Sequence, residues 1–142
     1  TLSDGQAIGT ILNDDQALVP ALTINDVSTV EGNSGTKTLT FTVTASVAPA
    51  APITVNYVTQ GGTATSGTDF QSASGTLTFP AGTATRTIDV TINGDATFEA
   101  NETFSLNLSS PTGATISDGQ GLGTITDDDA QPAFAAGDAS VT

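Results

Sequence analysis

The chain begins and nearly ends on the same segment. Thr1–Asp15 reads TLSDGQAIGTILNDD and Thr115–Asp129 reads TISDGQGLGTITDDD, identical at ten of fifteen positions at an offset of 114 residues. Self-similarity at a fixed offset marks a tandem array, in which each period is one folding unit stacked on its neighbours. A weaker echo, at an offset of 112 residues, supports a period near 112–114: PALTINDVST (Pro20–Thr29) returns as PAFAAGDASV (Pro132–Val141). The expected organisation is therefore the last strand of a preceding repeat in residues 1–15, a complete domain in residues 16–129, and a linker with the first strand of the next repeat in residues 130–142. One period has the length of one ordinary domain, large enough for a core.

Composition then narrows the chemistry. The chain has no Cys, Met, Trp or His. Disulfides, thiolate and imidazole nucleophiles, and the usual ligands of zinc, haem and iron–sulfur clusters are excluded. Threonine occurs 27 times, and a chain so rich in a β-branched residue favours strands over helices. No apolar run approaches the ~20 residues of a membrane-spanning helix. Acids outnumber bases fifteen to two, giving a net charge of −13. That balance opposes nucleic-acid binding, which needs basic side chains against phosphates.

Apolar residues alternate with period two along Leu39–Phe41–Val43, Ile53–Val55–Tyr57, Leu77–Phe79, Ile88–Val90–Ile92 and Phe104–Leu106–Leu108. A first strand around Leu22–Val30 changes phase between Ile24 and Val27, as a strand crossing between sheets does. A last strand carries Leu122 and Ile125 out of phase, and Gly123 between them suggests a β-bulge resetting the register. Gly- and Pro-rich turns separate these segments. Seven short strands at this spacing predict an all-β, two-sheet antiparallel sandwich.

If successive strands run up and down, alternate loops share an end. Glu31 follows the first strand, and Asp69 lies between the third and fourth. Asp95, Glu99 and Glu102 lie between the fifth and sixth, and Asp127, Asp128 and Asp129 follow the seventh. All eight carboxylates fall at one end, and no base lies in their loops. The opposite end holds Asp118, with Asp26 near the start of the first strand. Converging carboxylates repel one another unless a cation joins them. Ligation by carboxylates alone, through six to eight oxygens, is calcium chemistry. The alternatives are a solvated acidic rim, or a charged linker at Asp127–Asp129.

The loop motifs VEGNSG (Val30–Gly35), GTATSGTDF (Gly62–Phe70), GTLTF (Gly75–Phe79), FEANETFSLNLSSPTGATISDG (Phe98–Gly119) and GTITDDD (Gly123–Asp129) closely resemble the Calx-beta domain. That family is known from the regulatory domains of the sodium/calcium exchanger, from integrin β4 and from long bacterial surface proteins. The resemblance implies a seven-stranded immunoglobulin-like sandwich binding Ca²⁺ at one end. It places the ligands on Glu31, Asp69, Asp95, Glu99, Glu102, Asp127, Asp128 and Asp129, with Thr97 offering a backbone carbonyl. The exchanger's corresponding acidic loop is richer in acids, whereas Gly94 and Ala96 flank Asp95 here. The expected occupancy is therefore one to three ions rather than four.

The leading functional expectation is a calcium-binding spacer in a large extracellular, multi-repeat bacterial surface protein serving adhesion or matrix assembly. Its partners are then the adjacent repeats of the same chain. A calcium sensor, or an adhesion module binding protein or glycan, is the alternative. Near-copy repeats weigh against a sensor, and the scarcity of aromatics weighs against a sugar site. Catalysis is the weakest reading: Glu99 and Glu102 resemble a paired acid and base, but metal ligation accounts for them better. No catalytic residue and no membrane insertion are expected. Asn101–Thr103 and Asn107–Ser109 match glycosylation sequons and are read as coincidental. Residues 1–15 and 132–142, as strands without their own sandwich, suggest strand-exchange self-association, with disorder of both ends as the alternative.

Overall fold

The computed structural model describes residues 18–131. Nine strands run through them: β1 (Ala21–Ile24), β2 (Val27–Val30), β3 (Thr36–Ala45), β4 (Ile53–Gly61), β5 (Ser74–Phe79), β6 (Thr85–Asn93), β7 (Glu102–Thr112), β8 (Thr115–Asp118) and β9 (Gln120–Thr126). They form two sheets, ordered β6-β3-β1-β8 and β2-β9-β7-β4-β5. This is the expected all-β sandwich, with the first and last of the seven expected strands each divided between the two sheets. Residues 1–15 and 132–142, where strand exchange is expected, lie outside the described residues.

The division explains the phase change between Ile24 and Val27. At the crossing, Asn25 Oδ1 accepts the Thr42 amide of one sheet at 2.8 Å, and Asp26 Oδ1 accepts the Leu122 amide of the other at 2.8 Å. Two adjacent side chains thus replace ladder bonds that the backbone loses while changing sheets. Asp26 has a structural task there and is no part of a cation site. One expectation needs qualifying: the sandwich is not wholly antiparallel. β1 pairs with β8 and β2 with β9 in parallel. The first and last segments are both odd in an up-and-down order, so they run the same way wherever they meet.

The bulge expected at Gly123 is absent. The β9 ladders against β2 and β7 pass through Gly123 without a shift. Gly121, Gly123 and Ile125 face inward, and Leu122 is 42% exposed. The glycines are inward because there is no room for more. A Cβ on Gly123 would lie 2.5 Å from the Phe104 ring, and one on Gly121 would lie 2.7 Å from the Asn25 carbonyl oxygen. The chain breaks instead four residues before Gly123, at Gly119 between β8 and β9.

The core lies between the sheets, on the alternating positions. Phe41, Val43, Val55, Phe79, Val90, Ile92, Phe104 and Leu106 are all buried. Phe104 packs edge-on to Phe41 at 6.0 Å and stacks on Phe70 at 4.3 Å. Phe70 comes from a loop, and its fully buried ring fastens the 62–73 segment onto the end of the core.

Candidate metal centre

Four chain segments converge above Phe70 and Phe104. The first is the exit of β2, where the Glu31 amide donates to the Thr126 carbonyl at 2.9 Å. This parallel β2–β9 pairing holds Glu31 beside the departing acids of residues 127–129. The second is the 62–73 loop. Asp69 Oδ2 accepts the Thr65 amide at 2.7 Å, the Asp69 amide donates to the Thr65 carbonyl at 2.8 Å, and the Asp69 carbonyl accepts the Asn93 amide at 2.9 Å. With Phe70 anchored in the core, Asp69 is fixed on both sides.

The third segment joins β6 to β7. Its Gly94 amide donates to the Gly35 carbonyl at 2.9 Å, and its Asp95 amide donates to the Gly32 carbonyl at 3.1 Å. Gly94 is needed for this approach, since a Cβ there would meet the Glu31 and Gly32 carbonyl oxygens at 2.7 and 2.8 Å. Asp95 Oδ1 then accepts the Thr97 amide at 2.7 Å, closing a turn. The fourth segment follows β9. The Asp127 amide donates to Asn101 Oδ1 at 3.0 Å, tying it to the third.

Six of the eight acids fall into two triads. Glu31, Asp95 and Asp129 form one, and Asp69, Glu99 and Glu102 the other, each with carboxylate oxygens within 4.8 Å of one another. Asp127 belongs to neither triad, yet its charge acts on Glu31, Glu99 and Asp129. Asp128 is exposed and outside both. Thr97 is exposed, and its amide serves the Asp95 turn. Lys37, at the start of β3, brings its Cε to 3.1 Å from where a Gly32 side chain would begin, so one base borders the acidic end. Arg86 donates instead to the Thr78 carbonyl.

Electrostatic tension follows from the crowding. Burial, and then repulsion from Asp95, Glu99, Asp127 and Asp129, pushes Glu31 up to about 7. Burial, a hydrogen bond with Asp69 and the charges of Asp69, Glu99 and Asp95 push Glu102 up to about 7. Glu99 is raised by burial and by Asp95 and Asp69, and Asp129 by burial and by Asp127 and Asp128. Glu31, Asp69 and Asp129 are only 5, 8 and 8% exposed, so water relieves them little. Both Asp129 carboxylate oxygens are buried with no hydrogen-bond partner. An ionised group left so is disfavoured unless a positive charge joins it.

The donor set fits a hard divalent cation. Oxygens within 4.8 Å of one another can share one ion at about 2.4 Å, a calcium distance, and a set made of carboxylates alone suits calcium, whereas magnesium usually keeps several waters and takes one or two carboxylates. Each triad supplies three protein ligands, and an ion of higher coordination completes its shell with carbonyls and water.

Together the fold and this end define a class: an immunoglobulin-like β-sandwich with a carboxylate cluster where its last strand leaves. Residues 14–129 match the model of the Calx-beta domain, and the chain belongs to that family. Among solved structures it is similar to the apo-form Calx CBD1 domain, at 27% identity and a TM-score of 0.66, covering 79% of this chain and all of that one. It is also similar to CBD12 from CALX1.2, at 26% identity and a TM-score of 0.69 over 77% of this chain. A third match is the calcium binding domain CBD12 of CALX1.1, at 28% identity and a TM-score of 0.68 over 76% of this chain. The chain spans about half of each CBD12 structure, 46% in both cases. No curated protein matches the sequence.

Sequence reasoning alone did not single out Gly94, Asn101 or Phe70 as builders of the site. Phe70 is signalled by its place directly after Asp69. The other two join loops distant in sequence, Gly94 by close backbone approach and Asn101 by its side-chain oxygen on the Asp127 amide.

Proposed function

We propose that the chain is a calcium-binding structural repeat from a large extracellular bacterial protein, a spacer that calcium stiffens at each junction between domains. The observation that carries this reading is the buried, unpartnered carboxylate of Asp129 within a triad, at the residue where the chain leaves the sandwich. Glu31, Asp95 and Asp129 hold one ion, and Asp69, Glu99 and Glu102 a second. Asp127 adds charge between them. Calcium there neutralises the clustered acids and ties the exit of β9 to the β2 end and the 94–101 loop. The departing chain then leaves in a fixed direction, as a spacer requires. Glu99 and Glu102 act as ligands beside Asp69, with no catalytic task.

Calorimetric calcium titration tests this. The wild type is expected to bind two ions, Glu31→Gln to lose one of them, and Asp128→Asn, outside both triads, to keep both. A wild type that takes up no calcium at millimolar concentration sinks the reading.

A further inference from the structure

The last residue of β6 and the one after it form the dipeptide Asn93–Gly94. Of the chain's seven asparagines, Asn93 alone precedes a glycine. An asparagine so placed is the most prone to lose its amide, because glycine has no Cβ to shield the backbone nitrogen that attacks it. The acidic pole nonetheless needs both residues. Gly94 lies where a Cβ would meet the Glu31 and Gly32 carbonyl oxygens. Asn93 fastens the 62–73 loop on both sides of Asp69. Its Nδ2 donates to the Thr68 carbonyl at 3.1 Å and the Gly67 carbonyl at 3.5 Å, and its Oδ1 accepts Gln71 Nε2 at 3.3 Å. The frame of the acidic pole is thus built on a chemically labile pair.

We infer that Asn93 is a deamidation site held in check by the fold, and that its conversion to an acid releases the loop that carries Asp69. In the reaction the Gly94 backbone nitrogen, its proton taken by hydroxide, attacks the Asn93 side-chain carbonyl carbon. A carbon–nitrogen bond closes a succinimide ring, the bond to Nδ2 breaks, and Nδ2 leaves as ammonia with a proton from water. Water then adds to either ring carbonyl. Opening at the side-chain carbonyl leaves aspartate; opening at the main-chain carbonyl leaves isoaspartate, with the chain running on through the former side chain. The closed fold opposes the first step. The Gly94 amide is engaged by the Gly35 carbonyl at 2.9 Å, and the Asn93 side chain is tied to the 67–71 segment. Both residues are only half-buried, so water reaches them once the pole opens locally. The product cannot restore the lost contacts. Where Nδ2 donated, a carboxylate oxygen faces the Thr68 and Gly67 carbonyls, acceptor against acceptor. A further negative charge also joins the crowded acids. Asp69 loses its support, and with it the triad of Asp69, Glu99 and Glu102 loses a member. The inference concerns the loop and stands whether or not the triads take calcium.

To test this, the whole chain is aged at mildly alkaline pH in chelator, both folded and in urea, and deamidation is located by fragmentation mass spectrometry. In urea, Asn93 is expected to convert before every other asparagine. In the folded chain it is expected to convert measurably but several-fold more slowly. Earlier conversion elsewhere in urea, equal rates in the two states, or no conversion in the fold overturns the inference. The consequence is read on Asn93→Asp by amide hydrogen exchange. The Gln71 amide, bonded to the Thr91 carbonyl at 2.8 Å, is expected to exchange about tenfold faster than in the fresh wild type. An unchanged rate there overturns the release of the loop. A melting curve establishes that the variant is folded. If it is not, the aged wild type, separated from the unconverted chain by ion exchange, takes its place. Calcium titration of the fresh chain is a separate measurement, so failure of the calcium reading is seen apart from failure of this inference.

Discussion

The two poles of this sandwich are built on opposite principles. At one, six acids come together in two triads with too few partners, and Asp129 keeps both oxygens unsatisfied. At the other, prolines, alanines and two exposed aliphatic side chains surround a hollow with no charge in it. Between them the core is ordinary: alternating strands and stacked phenylalanines, sufficient for a domain of this size. The difference teaches where stability was given up. The acidic pole stores electrostatic repulsion that a cation releases, while the apolar pole has nothing that a cation would change. Calcium should therefore act on one pole alone, and perturbations at the two poles should separate cleanly.

The largest expected effect comes from the metal. Calcium at a hundred times its dissociation constant adds about 2.7 kcal/mol per site, which raises Tm by on the order of 10 °C for a domain of this length. Thermal melts in calcium and in chelator measure it, and equal melting temperatures would remove the distinction between the poles.

Next is Gly94→Ala. Its Cβ would press on the Glu31 and Gly32 carbonyls, prising the third segment from the first. A loss of about 1–3 kcal/mol is expected from such overpacking, with weakened binding at the Glu31–Asp95–Asp129 triad. Denaturant unfolding and calorimetry on one preparation would show both. A stability loss with intact calcium binding would mean that the two loops are not the frame of that triad.

The pH dependence is smaller. Glu31 and Glu102 are held at about 7 in the fold, above their ordinary value of 4.5. Folding thus favours their protonated forms. The stability they contribute is fully present below about pH 4.5 and is lost as pH rises through about 7. Without calcium, Tm should fall by a few degrees between pH 5 and pH 8. In saturating calcium the trend should flatten or reverse, because the ions compete with protons for the same oxygens. A calcium-free Tm that climbs over this range would contradict the crowding described for the acidic pole.

The smallest effect belongs to the far pole. Asp118→Asn and Ala51→Asp, both exposed, should each change stability by less than about 0.5 kcal/mol and leave calcium affinity as in the wild type. A tenfold change in that affinity would show that the poles communicate through the core.

Much of this contrast is legible in the sequence. The alternation of Leu39–Phe41–Val43 and its counterparts marks the inward faces, because a pleated strand turns every second side chain the same way. The odd and even order of the turns places Glu31, Asp69, Asp95 and Asp127–Asp129 at one end with no long-range information. Leu122 misleads because a leucine beside a glycine looks like the buried member of the pair. The rings of Phe41 and Phe104, distant in sequence, fill the space over Gly121 and Gly123 and turn Leu122 outward.

By itself, then, the sequence determines the β-sandwich and the pole at which the acids gather, since each follows from local period or chain order. Only the tertiary structure decides how the acids divide, with Glu31 joined to Asp95 and Asp129, and Glu102 to Asp69 and Glu99. It also decides that Asp127 and Asp128 stand outside both triads and that Asp26 serves the strand crossing. Those outcomes depend on ångström-scale approaches between loops, set by the stacking of Phe70 on Phe104 and the bare backbone of Gly94. No regularity along the chain encodes such distances, because they arise only when segments far apart in sequence compete for the same space.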